Sequence, residues 1–220
     1  MPAPTTRSQA DHRLGGVMAL GLSLALLATP AAAHSLKGLE DALFKRERYV
    51  EIVNRPAPDF TLEDADGRPV RLANFKGRVV VLYFIYASCP DVCPLHSAAI
   101  AGIQRAINPT PMKDLIQFIA VTTDPVRDTP AVMRSYGATH GLDDANWKFL
   151  TSSTDKPDAT RKIAELYGLK FTPGDGGHLM HGVVTHLIDK SGNLRARYHG
   201  LKFNPTNMIV HINALTNDYH

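Results

Sequence analysis

The sequence has few cysteines and little net charge, and both deficits exclude whole classes of protein. Only two cysteines, Cys89 and Cys93, occur in 220 residues, which excludes a disulfide-rich scaffold; a chain of this length buries a hydrophobic core without such crosslinks. The 24 basic and 21 acidic residues give a formal net charge of +3. Because nucleic-acid-binding proteins carry a much denser cationic surface, nucleic acid is not expected as a partner.

The overall composition is that of one ordinary globular domain. Apolar residues make up 44% of the chain, charged residues 20% and aromatic residues 7%. No internal repeat or low-complexity segment is present. These features exclude a disordered, collagenous or multi-pass membrane protein.

The N-terminal apolar run predicts export. Residues 15–28 carry no charge, follow Arg7 and Arg13, and precede a small-x-small cleavage pattern at Ala31 and Ala33. The run is shorter than the roughly 20 residues of a membrane-spanning helix. We therefore predict a secretory signal peptide at residues 1–33 and a periplasmic or secreted protein. The alternative is an uncleaved anchor that tethers the protein to the membrane, facing the periplasm.

The rest of the chain predicts an α/β domain at residues 54–220, preceded by a leader or linker at 34–53. Alternating apolar residues around Asp66 and Gly67 indicate an N-terminal β-hairpin. The near-continuous β-branched and aromatic run at 78–86 is typical of a strand buried on both faces. Further strands are predicted at 115–122, 147–150, 181–188 and 193–198, and helices at 94–107, 129–139 and 205–216. This order predicts a thioredoxin-like fold, with a central mixed sheet and flanking helices.

The cysteine pair lies where the first central strand gives way to a helix. A helix N-terminus favours thiolates over thiols, so both sulfurs are expected to be reactive. If the segment is helical, Cys89 and Cys93 lie one turn apart and are able to meet one metal ion. A purely structural disulfide is a weaker interpretation, because so short a loop gives only about 2 kcal/mol. Thiol-disulfide exchange stays open, although dithiol enzymes usually separate their cysteines by two residues.

Three motifs in the same order resemble the SCO/SenC family of copper proteins. They are CPDVCP at 89–94, DPVRDTP at 124–130, and the segment from His181 through His186-Leu-Ile-Asp to Gly192. The resemblance implies a thioredoxin fold and copper bound by two cysteines and one distant histidine. It also implies a role in assembling the dinuclear copper centre of cytochrome c oxidase. The positions that match these ligands are Cys89, Cys93 and His181.

The chemistry of this donor set agrees with copper. Sulfur is a soft ligand that favours Cu(I), whereas an imidazole nitrogen also allows Cu(II). Structural zinc sites normally have four protein ligands, so zinc would need water in the fourth position.

The sequence departs from the family pattern at two places near the expected ligands. Met180 stands before His181 where the family commonly has Asp, and Ala87-Ser88 precedes the cysteine motif where Thr-His is common. The first change affects the surroundings of the imidazole. His178, in a Gly-rich loop, is therefore the main substitute for His181 or an assisting ligand.

Other candidate residues receive less specific expectations. His96 is expected on the solvated surface of the helix, with contact to the site as the alternative, and His186 is expected as a packing or surface residue. Asp124, Arg127 and Asp128 are expected in a loop near the site, where they brace the loop or dock a partner. Three methionines are expected to fill the hydrophobic core and not to bind metal through their thioethers; they are Met112, Met133 and Met208.

The leading functional hypothesis is a copper chaperone that delivers copper to a respiratory oxidase or another exported copper protein. Such a carrier is not an enzyme. The alternative is a thiol-disulfide reductase that uses Cys89 and Cys93 to keep a copper-protein partner reduced. A third hypothesis, a peroxidase of the peroxiredoxin type with Cys89 as the reactive thiolate, fits CPDVCP poorly.

Overall fold

A computed structural model describes residues 35–174 and 179–217, and its central element is a six-stranded mixed sheet. The strand order is β1-β10-β9-β4-β5-β6. The strands are β1 Val50–Pro56, β2 Thr61–Glu63, β3 Pro69–Arg71, β4 Val79–Ile85, β5 Ile116–Thr122, β6 Trp147–Leu150, β7 Phe171–Pro173, β8 Leu179–His181, β9 Val184–Ile188 and β10 Asn193–His199. The helices are α1 Leu36–Phe44, α2 Val92–Ile107, α3 Pro130–Thr139, α4 Ala159–Leu166 and α5 Pro205–Thr216, with short 3-10 helices at Leu72–Phe75 and Pro111–Leu115.

Alternating side chains of β4 divide the hydrophobic core between the two faces of this sheet. Val79, Val81 and Tyr83 join a cluster with residues of α2, α3 and α5. Val80 and Leu82 join the opposite cluster, which contains residues of α4 and of the β2–β3 hairpin. Successive strand residues point to opposite faces, so β4 supplies both halves of the core. The predicted α/β fold, with flanking helices and an N-terminal hairpin, is confirmed.

The two central strands are parallel and buried along their whole length. Residue pairs run in register from Val79 opposite Ile116 to Ile85 opposite Thr122. Every residue of both strands is buried. The carboxyl ends of β4 and β5 therefore meet at one edge of the sheet. The segments that leave this edge contain Cys89 and Cys93 after β4 and Asp128 after β5.

The single strand predicted at 181–188 is wrong. β8 ends at His181 and pairs with β7, with His181 opposite Phe171. β9 begins at Val184 and pairs with β4, with Thr185 opposite Tyr83. The two segments have different pairing partners, so the chain must leave strand geometry between them. His181 consequently lies on a two-stranded hairpin outside the main sheet.

The segment before residue 54 is part of the folded unit. β1 pairs with β10, so the predicted boundary at residue 54 falls inside a strand. The buried Glu40 carboxylate of α1 accepts a hydrogen bond from the Arg195 side chain at 3.0 Å, and the buried Glu47 carboxylate accepts one from the backbone N–H of Asn204 at 2.7 Å. The predicted signal peptide lies outside the described residues. Among the helices of residues 35–174 and 179–217, none is long and apolar enough to cross a membrane.

Replacement of Gly137 by Ala is expected to destabilise the fold. A Cβ atom at this position would lie 2.5 Å from Cζ3 of Trp147, whose indole Nε1 donates to the Tyr83 hydroxyl at 3.0 Å. Because the ring is held by that hydrogen bond, Gly137→Ala should lower the free energy of unfolding by about 1–3 kcal/mol. Urea denaturation followed by circular dichroism measures the change.

Gly102 is the matched control, because it also lies inside a helix. The nearest atom to its added Cβ would be Nη2 of Arg105 at 3.8 Å, an ordinary contact. Gly102→Ala is expected to stabilise the protein by about 0.5–1 kcal/mol. Equal effects of the two substitutions would contradict the packing argument.

Candidate metal centre

The Cys89 sulfur lies at the beginning of α2 and accepts hydrogen bonds there. Cys89 is in the loop after β4, and Cys93 is in the first turn of the helix. The Asp91 side chain, at the N-cap position, makes no capping hydrogen bond. Instead, the backbone N–H groups of Asp91 and Cys93 donate to the Cys89 sulfur. The sulfur thus takes part in capping the helix, where a negative charge is favoured.

The two cysteines are buried, are not joined in a disulfide, and differ in acidity. Burial favours the neutral Cys89 thiol, but the donors at Asp91, Cys93 and Tyr86 outweigh it and hold the pKa of Cys89 below its ordinary value. Burial raises the pKa of Cys93 to about 12, and the neighbouring charge of Cys89 adds to this effect. Cys89 is therefore the more acidic thiol of the pair.

A buried carboxylate fixes the loop that leads to the cysteines. Both Asp128 oxygens accept from the Ala87 backbone N–H at 3.1 Å, and Oδ2 also accepts from the Thr122 hydroxyl. Burial raises the pKa of Asp128. The bracing role expected for this loop is confirmed for Asp128, which links the chain after β4 to the end of β5. Asp124 forms an ion pair with Arg127 nearby.

The β7–β8 hairpin presents the third candidate ligand. His181 is half-buried, and its ring lies edge-on to Phe171 with 5.4 Å between centroids. Its Nδ1 lies 3.0 Å from the Gly182 carbonyl oxygen, which only accepts, so Nδ1 carries the proton. Nε2 then holds the lone pair, with the Thr123 hydroxyl 3.4 Å away. Burial lowers the pKa of His181, which favours the neutral imidazole that metals bind.

One cleft of about 650 Å³ brings these groups together. Its lining includes the cysteines Cys89 and Cys93 of the α2 region together with Met180 and His181 of the hairpin. Within residues 35–174 and 179–217, no three His, Cys, Asp or Glu side chains are already arranged to hold a metal ion. The cysteine pair and the imidazole share a cleft without forming a closed coordination shell. Their role as ligands stays a prediction.

The structure corrects the expectation for His96. This side chain is 1% exposed, its Nε2 lies 2.8 Å from the Thr185 hydroxyl, and its ring contacts Tyr83. Burial, with a smaller contribution from the charge of His181, lowers the pKa of His96 to about 3. A solvated surface position is therefore wrong. The sequence did not indicate this, because an apolar residue is normally the one expected to be buried. Here the apolar Leu95 is exposed and its neighbour His96 is buried.

The structure describes most of the remaining candidate residues, and one of them lies outside the described part of the chain. His186 is a packing residue, fully buried between Phe84 and Tyr167. Met133 and Met208 are core fillers as expected, and Met112 is partly buried against the same core. His178, the substitute ligand, lies outside the described residues.

The donors in the cleft fit a soft metal ion. The more acidic thiol, the adjacent second thiol and an imidazole with an unprotonated Nε2 are the ligand types that bind Cu(I), and the nitrogen also allows Cu(II). Their number is below the four ligands of a structural zinc site. The arrangement is also able to perform dithiol chemistry, since the two thiols are in hydrogen-bonding contact.

Comparisons with known proteins point to one family. The family model described as SCO1/SenC matches residues 53–217. The protein SCO2 homolog of Bos taurus mitochondria is 32% identical over 185 residues, which cover 80% of this chain and 67% of the bovine protein.

Solved structures give the same fold. The copper-bound structure of Bradyrhizobium japonicum ScoI is 27% identical, with a TM-score of 0.59 over 75% of this chain and 99% of that chain. BsSco is described as a member of the Sco family of cytochrome c oxidase assembly proteins that contains a disulfide switch. It is 22% identical, with a TM-score of 0.64 over 76% of this chain and 96% of that chain.

The two thiols are expected to react with iodoacetamide at different rates. The thiolate fraction of each cysteine grows as the pH rises through its pKa, so Cys89 should be alkylated first and at lower pH. Peptide mass spectrometry after short exposure at pH 7 to 9 measures both sites. In urea, where the folded environment is lost, the rates should converge. Faster alkylation of Cys93 in the folded protein would contradict the assigned acidities.

Proposed function

Because the chain belongs to the SCO1/SenC family, we propose that it binds copper through Cys89, Cys93 and His181 and delivers it to another copper protein. The observation that carries this proposal is the cleft that two thiols line together with an imidazole from a separate hairpin. The copper-bound ScoI structure, which shares the fold, supports the choice of metal.

The charges of the donors suit a carrier for copper. Two thiolates and a neutral imidazole carry two negative charges, so Cu(I) leaves one and Cu(II) leaves none. The helix N-terminus of α2 stabilises the remaining negative charge. A three-donor shell also leaves room for an incoming ligand, which a protein that must release its ion requires.

The proposed recipient is a respiratory oxidase or another exported copper protein. The description of BsSco as an assembly protein for cytochrome c oxidase supports this class of partner. We place the activity outside the cytoplasm, as expected from the predicted signal peptide at residues 1–33. An uncleaved segment would tether the same domain to the membrane surface.

Copper binding should depend on all three proposed ligands. The reduced chain with one equivalent of Cu(II) should show a sulfur-to-copper charge-transfer absorption, and Cys89→Ser, Cys93→Ser and His181→Ala should each abolish it. Cu(I) affinity, measured by competition with bicinchoninate, should fall by at least the roughly 10–100-fold that loss of an outer-shell partner causes. The reason is that each substitution removes a direct donor.

Two histidine variants serve as controls. His199 is half-exposed, lies 3.1 Å from Glu51 and is outside the cleft, so His199→Ala should leave copper binding unchanged. His178→Ala should weaken binding less than His181→Ala. Equal losses at positions 178 and 181 would overturn the assignment of His181.

The unequal acidity of the two thiols favours a second candidate function, thiol-disulfide exchange. The Cys89 thiolate would attack a partner disulfide and form a mixed disulfide, which Cys93 then resolves as its proton leaves. The partner gains two thiols, and this chain becomes the Cys89–Cys93 disulfide. A reductase of this kind would keep the cysteines of a copper-accepting protein ready for the metal.

The reductase function is tested with insulin, whose disulfides report reduction as turbidity. The reduced protein should accelerate the reaction, Cys89→Ser should abolish it, and Cys93→Ser should trap a mixed disulfide at Cys89. His181→Ala should leave the rate unchanged, because dithiol exchange needs no imidazole ligand. A protein that binds no copper but reduces insulin rapidly would replace the carrier proposal by this one.

A further inference from the structure

Met180 occupies an unusual position at the mouth of the cysteine cleft. Its side chain is 54% exposed, and it lies between Leu179 and the proposed ligand His181 in β8. Among the large hydrophobic side chains exposed in the described part of the chain, Met180 alone lines this cleft. The other methionines described in the fold are buried or packed against the core.

The chemistry of a thioether suits this place. Methionine sulfur is soft and neutral, and it favours Cu(I) without losing a proton. A thioether binds Cu(I) more weakly than a thiolate does. At equilibrium the ion would therefore be bound by Cys89 and Cys93 and not by Met180. The weaker copper ligand, the thioether, is therefore exposed, and the stronger ligands, the two thiols, are buried in the same cleft.

The strand geometry separates the roles of Met180 and His181. Neighbouring residues of a strand project to opposite faces. His181 lies opposite Phe171 and contacts its ring, whereas Met180 lies opposite Thr172, an exposed residue that also lines the cleft. The two side chains are thus not disposed to bind one ion together.

From this arrangement we infer that the Met180 thioether is a transient Cu(I) ligand, which holds the ion on its way between an external donor or acceptor and Cys89 with Cys93. The inference rests on the proposed copper function. During loading, a bond from copper to the thioether forms as a bond to the external ligand breaks. It is then replaced by bonds to the thiolates. No electron is transferred, and copper stays Cu(I) throughout.

The experiment compares the full chain with its Met180→Leu variant, which keeps an apolar side chain and removes the sulfur. Cu(I)-loaded protein is mixed with excess bicinchoninate in a stopped-flow instrument, and the absorbance of the Cu(I) chelate gives the removal rate. The reverse mixing gives the loading rate. We expect both rates to fall about fivefold, which corresponds to roughly 1 kcal/mol in the exchange barrier. The equilibrium affinity should stay unchanged, since a transient ligand affects both directions equally.

A small chelator has no protein surface, so a slower exchange would not reflect lost docking of a partner. Met112→Leu is the matched control, because Met112 is partly buried and lies outside the cleft. It should exchange copper at the wild-type rate.

Wild-type rates in Met180→Leu would overturn the inference. A large loss of equilibrium affinity in this variant would overturn it too, because Met180 would then be a resident ligand. Copper binding that is insensitive to Cys89→Ser and Cys93→Ser would instead overturn the proposed function itself, and these two failures are distinguishable.

Discussion

A buried carboxylate at the end of the central parallel strands is the constraint on which the site depends. Asp128 accepts the Ala87 backbone N–H and the Thr122 hydroxyl, and so ties the loop after β4 to the end of β5. Neither donor is left unsatisfied in the interior, where an unpaired polar group costs about 1–3 kcal/mol. The loop held in this way carries Cys89 to the beginning of α2.

The acidity of the thiols follows from that placement. The Cys89 sulfur receives the amides at the helix N-terminus, whereas Cys93, one turn further, lies deeper and receives fewer donors. The Cys89 thiol therefore loses its proton more readily, and the Cys93 thiol keeps its proton until a metal ion or a disulfide takes the proton's place. The proposed copper binding and the proposed thiol exchange would both make use of this asymmetry.

The imidazole comes from a different part of the fold. His181 belongs to the β7–β8 hairpin, which hydrogen bonds within itself and not to the main sheet. The main sheet fixes the sulfurs, and the hairpin supplies the nitrogen and the exposed thioether of Met180. The proposed copper site would thus be divided between two sheets, which suits the capture and release of an ion better than permanent storage, because neither half alone completes the shell.

The sequence by itself determined the central strands, the β2–β3 hairpin, the position of the cysteines at the start of a helix and the candidate donor residues. Unbroken β-branched runs and a cysteine motif are local signals, and local signals are readable without a structure. Only the tertiary structure decided the unequal acidity of Cys89 and Cys93, the burial of His96 and the break between His181 and Val184. Those properties depend on which distant groups pack or pair with each residue: Thr185 and Tyr83 with His96, and Phe171 rather than β4 with His181.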